Sequence, residues 1–156
     1  MRDDDLSLFV DSRSPDEIRR LFETVSPNFT DRDGRNALFG SITHRKGLTS
    51  FLIAHGADVR RRDKDGFTPL HFAAIHRAPD DAEILLAHGA DLSAADRHGN
   101  QPLWHAVFHH ERRSELVGLF MGHGADPNHA GAAGQSPLDH ARRIGDPSLI
   151  ALLSRS

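Results

Sequence analysis

A four-residue string returns at nearly constant intervals, and this repetition constrains the fold more than any other feature of the sequence. The string His-Gly-Ala-Asp occurs three times, at His55–Asp58, His88–Asp91 and His123–Asp126. Successive copies begin 33 and 35 residues apart. Chains with a fixed period of this length fold into stacks of small units, because each unit buries its apolar face only against its neighbours.

A second string keeps the same phase as the first. It has the pattern Gly-x-x-Pro-Leu and lies within residues 63–71, 96–104 and 131–139, with a degraded copy at 31–39. In the best copy it continues as Thr68-Pro69-Leu70-His71. The chain therefore resembles the ankyrin-repeat family, whose repeat of about 33 residues opens its first helix with Thr-Pro-Leu-His.

The resemblance implies an all-α fold, an ankyrin-repeat solenoid of stacked helix pairs with hairpin loops. We expect residues 1–156 to form a single domain of about five units, counting the two caps. The predicted units are 1–30 (N-terminal cap), 31–62, 63–95, 96–130 and 131–156 (C-terminal cap). The first unit is inferred from residues 17–23, which match the second helix of the family's repeat, and the last unit lacks Gly-Ala-Asp, as a terminal cap would.

Helix signals agree with these units. Proline is favoured at the first position of a helix, where its missing N–H has no partner to lose, and Thr and Ser are good N-caps. Glycine after a helix adopts the left-handed conformation at low cost. These rules predict first-position prolines at Pro69, Pro102 and Pro137, caps at Thr68 and Ser136, and helix ends at Gly56, Gly89 and Gly124.

Composition removes several classes of function. The chain has no cysteine, a formal net charge of −3, and no run near the roughly 20 apolar residues of a membrane helix. We therefore expect no nucleic-acid partner, no membrane partner, no signal peptide and a cytoplasmic location. The Arg-, Ala- and Asp-rich composition favours a bacterial source.

Twelve histidines raise the question of a metal site. The histidines of the His-Gly-Ala-Asp strings are expected to cap helix ends, and the resemblance gives His71 a structural bond to the neighbouring loop. His105, His109 and His110 remain as the core of an alternative metal or ligand site. The His-Glu-x-x-His order of metalloproteases is absent. We expect no metal, no cofactor and no catalytic residues, and hence no enzyme.

The resemblance places binding on the concave face, made of hairpin tips and the inner side of the first helices. Large apolar residues edged by Arg and His on such a face match the composition of an interface core. Packing alone does not require Phe67, Ile75 or Phe108 there, and Trp104 suits either the core or the interface. The predicted partner-binding residues are Arg62, Lys64, Phe67, Ile75, His76, Arg97, His98, Trp104, Phe108 and His109. For the Arg60–Arg62 run itself, a solvated loop is favoured over a basic rim.

The sequence thus predicts a protein-binding module, monomeric in isolation, whose partner is another protein. A narrower hypothesis is a small stand-alone immunity protein or inhibitor that neutralises a cognate bacterial toxin. Two alternatives come from other classes: the histidine site described above, and a self-associating scaffold that uses Leu6, Leu8 and Phe9 of the N-terminal cap.

Overall fold

The computed structural model describes residues 13–44, 47–109 and 115–154, and within these ranges the chain forms helices and loops without strands. The helices, numbered in chain order, are α1 (Pro15–Phe22), α2 (Ala37–Thr43), α3 (Thr49–Ala54), α4 (Pro69–Ile75), α5 (Pro79–Ala87), α6 (Pro102–Phe108), α7 (Glu115–Gly122), α8 (Pro137–Ile144) and α9 (Pro147–Leu153). The all-α prediction is confirmed over the described residues.

The helices from α2 onward form pairs that stack in two rows. The first helices of the pairs, α2, α4, α6 and α8, pack side by side, and the second helices, α3, α5, α7 and α9, form the other row. Each first helix also packs on the second helix of its own pair. This is the predicted solenoid of helix pairs.

The core lies between the two rows and repeats with the sequence. The leucine of the Pro-Leu string is buried in every unit from α2 onward, at positions 38, 70, 103 and 138. Ala73 and Ala74 are also buried, so neighbouring first helices pack closely at small side chains. Ile18 and Phe22 of α1 join the same core, which extends it into the N-terminal region.

The predicted helix signals are confirmed. The three prolines begin their helices, and Ser136 accepts a hydrogen bond from the backbone N–H of Asp139 at 3.1 Å. Thr68 is the N-cap of α4, where its backbone N–H and hydroxyl both contact Nδ1 of His71. The glycines after α3, α5 and α7 have φ of 87°, 83° and 83°, the left-handed region that favours glycine.

An aspartate carboxylate stabilises each of three consecutive hairpin loops. The side chains of Asp31, Asp63 and Asp96 each accept two backbone N–H bonds from residues two and four positions later, at 2.8–3.0 Å. Backbone bonds then link each hairpin to the next, for example from Lys64 N–H to the carbonyl of Asp33 at 2.8 Å. The stacked hairpins therefore hold their tips in a fixed row.

Some predictions fall on residues outside the described ranges. These are His110 of the alternative metal site and the Leu6, Leu8 and Phe9 patch of the scaffold hypothesis. The unit boundaries also remain predictions.

Candidate functional site

A row of aromatic rings runs from one unit to the next. Consecutive ring centroids lie 4.9, 6.2, 5.4, 5.2 and 4.9 Å apart in the order Phe39, Phe72, Phe67, His105, Trp104 and Phe108. Rings at these separations interact favourably beyond the area they bury. The first helices and the loop before α4, which carries Phe67, thus share one aromatic row. Phe67, Trp104 and Phe108 were predicted as contact residues, and Phe39 and Phe72 were not.

The exposed end of this row is a stacked pair, which we call the Trp104–Phe108 platform. The two side chains lie one helical turn apart on α6, and their ring planes differ by 10°. Phe108 is 49% exposed, whereas Trp104 is half-buried and also meets the edge of His105. Trp104 is therefore partly covered by neighbouring rings and supports an exposed one, and its role in an interface remains a prediction.

Phe67 and Ile75 are less exposed than the sequence suggested. Both are half-buried. Phe67 packs edge-on against His71 at 5.5 Å and lies against His105 of the next unit at 5.4 Å. The expectation that packing does not require Phe67 was wrong, because its ring fills the space between two first helices.

The predicted cations of the hairpin tips have partners in the preceding hairpin. Lys64 forms an ion pair with Asp33, and Arg97 Nη1 lies 2.8 Å from Oδ1 of Asp65. The short Lys64 contact holds the pKa of Asp33 below its usual value and raises the pKa of the lysine. Both cations therefore connect hairpins and have their charge balanced within the chain, while His98 is exposed beside Arg97.

The Arg60–Arg62 run is neither a simple solvated loop nor a rim reserved for a partner. The guanidinium groups of Arg60 and Arg62 donate to backbone carbonyls of the third predicted unit, and that of Arg61 donates within its own unit. Arg60 Nε reaches Gly89 at 2.8 Å, Arg61 Nε reaches Gly34 at 2.9 Å, and Arg62 reaches Ala95. The run therefore connects the second predicted unit to the third and to the hairpin of its own unit.

The histidines of the His-Gly-Ala-Asp strings are helix caps, as predicted. Their Nδ1 atoms lie 2.8, 2.8 and 2.9 Å from the carbonyls four residues earlier, for His55, His88 and His123 respectively. An imidazole N–H there satisfies a carbonyl that the helix end leaves open. No separate function is needed to explain these three residues.

Two further histidines are buried in the aromatic row. His71 Nδ1 accepts the backbone N–H of Thr68 at 3.1 Å, so its Nε2 carries the proton and donates to the carbonyl of Asn100 at 3.2 Å. Burial lowers the pKa of His71 to about 4. Burial also lowers the pKa of His105, whose Nε2 donates to Oδ2 of Asp96 at 2.9 Å.

The hydrogen bond between His105 and Asp96 bears on the alternative metal site. His105 uses Nε2 for a carboxylate that itself organises a hairpin, and the parallel ring of His109 has its centroid 6.4 Å away. Over the described ranges, no three His, Cys, Asp or Glu side chains are grouped so that they could hold an ion. The geometry of His105 thus serves packing between units.

An opening between α2 and α4, which we call the Gly40 notch, lies at the N-terminal end of the aromatic row. Its walls are Phe39 and Phe72, it encloses about 250 Å³, and His76 lies at its edge. The guanidinium of Arg35 lies 4.8 Å above the Phe72 ring. The repeat alignment puts Gly40 at the position of Phe72 and His105, so the missing side chain was the signal that could have revealed this notch.

Residues 52–106 match a family model described as ankyrin repeats (many copies). With the stacked helix pairs and the repeated strings described above, this match supports the predicted resemblance of the chain to the ankyrin-repeat family. Ankyrin repeats generally mediate protein–protein interaction and are typically modules without enzymatic activity. None of the helices in the described ranges has the length and apolar character needed to cross a bilayer.

Proposed function

We propose that this chain binds another protein through its concave face, with the Trp104–Phe108 platform at the centre of the contact. The observation that carries the proposal is the exposure of Phe108, 49% of a phenyl side chain held flat against tryptophan. A large apolar side chain that is already fixed loses little conformational entropy on binding. Aromatic residues of this kind dominate the energetics of protein interfaces.

The remaining predicted contacts surround the platform in different ways. His109 contacts Phe108 edge-on with centroids 5.2 Å apart, and Arg97 and His98 are exposed at the hairpin tip. Lys64, Arg97 and Arg62 are held by neighbouring hairpins, so they offer a partner preorganised groups rather than flexible ones. This arrangement supports an apolar centre with a polar rim.

A narrower form of the proposal concerns the consequence of binding. A module without its own chemistry acts by occupying its partner, and an immunity protein that covers the working surface of a bacterial toxin acts in this way. Such an inhibitor would work as a monomer in the cytoplasm, and the cysteine-free sequence suits a reducing compartment. Tight binding would require a toxin surface of complementary charge.

Capture from the source cells tests the proposal. The full chain and Phe108→Ala serve as baits, and Phe29→Ala is the matched control because Phe29 is 37% exposed in the loop before α2. For a captured protein measured by calorimetry, we expect Phe108→Ala to weaken binding by about 2 kcal/mol, roughly thirtyfold. The Phe29→Ala bait should bind as the parent does.

The control also shows what would contradict the proposal. A partner that binds the parent and Phe108→Ala equally well does not use the platform. If its affinity falls only for Phe29→Ala, the contact lies at the N-terminal end instead. Growth of toxin-producing cells with and without the chain would test the narrower inhibitor hypothesis.

A further inference from the structure

We infer that the platform receives a linear segment of the partner in which a large apolar side chain stands next to a carboxylate. This inference rests on the proposed function and specifies the chemistry of the partner. The apolar side chain would cover Phe108, and the carboxylate would pair with Arg143 of α8. The basis is a series of side-chain contacts that joins Phe108 to Arg143.

This series of contacts runs through the buried imidazole of His140. The ring of His140 lies 5.2 Å from the ring of Phe108 and 6.4 Å from that of Trp104. Arg143 Nη2 donates to Nδ1 of the same imidazole at 2.9 Å. Because His140 is 7% exposed and contacts both Phe108 and Arg143, it places the exposed guanidinium beside the platform.

Arg143 differs from the other cations of this face in the group it contacts. Arg97 contacts the carboxylate of Asp65, and Arg142 lies 3.9 Å from that of Asp139. At its contact with His140, Arg143 instead meets a nitrogen lone pair, which requires that imidazole nitrogen to be unprotonated. That contact therefore leaves the positive charge of Arg143 unbalanced.

The cost of removing water from the guanidinium of Arg143 then favours a partner segment with a negative charge. A segment that seats an apolar side chain on Phe108 removes water from the adjacent guanidinium. Burying a charge is unfavourable unless an opposite charge accompanies it. A carboxylate meets this need with charge-assisted, bidentate geometry, which arginine suits better than lysine does. An apolar or basic segment would leave the charge uncompensated.

The exposed apolar surface next to Arg143 agrees with this assignment. Ile144, the following residue, is 43% exposed. An exposed isoleucine and an exposed guanidinium at the end of one helix match a segment that alternates apolar and acidic contacts.

A display library of random twelve-residue peptides, panned on the immobilised full chain, provides the probe. We expect enriched peptides to carry Leu, Phe or Trp next to Asp or Glu. Affinities of the synthesised peptides can be followed through Trp104, because it is the only tryptophan of the chain. Arg143→Glu should weaken binding at least tenfold, and replacing the peptide's acid with lysine should restore binding to that variant.

The matched control is Arg19→Glu, an equal change of charge on the distant helix α1. It should leave the affinity unchanged, and circular dichroism of each variant checks the fold. Enriched peptides that need Phe108 but lack an acid, or that ignore Arg143→Glu, would overturn the inference and leave the proposed function standing. A library without any binder above background would also overturn it.

Other results separate the failure of the proposed function from that of the inference. Peptides that bind Phe108→Ala as tightly as the parent bypass the platform, and this outcome counts against both. Loss of binding in Arg143→Glu without rescue by the lysine peptide would assign Arg143 a structural role, and the inference would then fail alone.

Discussion

The Gly40 notch and the Trp104–Phe108 platform occupy equivalent places on the concave face, yet the same backbone carries opposite arrangements. At the notch, Phe39 is 1% exposed and Arg35 lies over the neighbouring ring of Phe72. At the platform, Phe108 is 49% exposed. The repeat alignment gives Phe39, Gly40 and Thr43 at the positions of Trp104, His105 and Phe108, so three side chains account for the difference.

This comparison separates stability from binding along one aromatic row. Rings at the N-terminal end are covered by the chain itself, and their contacts contribute to folding. Phe108, the ring at the C-terminal end of the row, is 49% exposed, and we propose that a partner covers it. Repeat proteins can divide the two tasks in this way because each unit contacts only its neighbours.

The largest expected effect tests this division directly. Phe39→Ala should lower the free energy of unfolding by about 3–5 kcal/mol, since it removes a fully buried ring and leaves a cavity. Phe108→Ala should lower it by less than about 1 kcal/mol, because half of that ring already faces water. Urea denaturation of the two variants measures both values. Equal losses would break the comparison.

Lowering the pH should destabilise the folded chain around the middle of the aromatic row, because the buried imidazoles of His71 and His105 lie there. The pKa of His71 is about 4 in the folded chain, below the ordinary value of 6.5, so unfolding takes up a proton. Its contribution to stability is complete above pH 6.5 and is lost as the pH falls toward 4, on the order of 3 kcal/mol in total. The lowered pKa of His105 adds a loss of the same sign.

The pH dependence of urea unfolding, compared between the parent and His71→Gln, measures this effect. The variant should be less stable at pH 7 and should show a shallower fall between pH 6.5 and 4. Identical slopes would show that His71 does not take up a proton on unfolding in that range.

The smallest expected effect sharpens the account of the notch. Arg35→Met should cost about 1 kcal/mol, because it removes the cation over Phe72 and the contact of Arg35 Nε with the buried carboxylate of Asp63, 3.0 Å away. Arg19→Met breaks an exposed pair with Asp16 and serves as the control, with almost no change. A larger loss of stability for Arg19→Met than for Arg35→Met would contradict the stabilising contacts assigned to Arg35.

Local rules were sufficient for the repeated positions of this chain. The phase of the two strings, the helix-starting prolines, the caps and the left-handed glycines depend on neighbours in sequence, and the structure confirms them. The histidines at the ends of α3, α5 and α7 belong to the same group, since each contacts a carbonyl four residues earlier. Phe39, Phe72 and Gly40 escaped sequence reasoning because their importance depends on the adjacent unit.

The sequence by itself determined the repeat, the helix pairs and the resemblance to a family of binding modules, because these follow from periodicity and from local conformational preference. Only the tertiary structure decided which of the predicted contact residues are exposed. Phe67 packs between units, and Lys64 and Arg97 pair with carboxylates of preceding hairpins, whereas Phe108 stays exposed. These outcomes depend on side chains about thirty residues away in sequence, which come together only when the units stack.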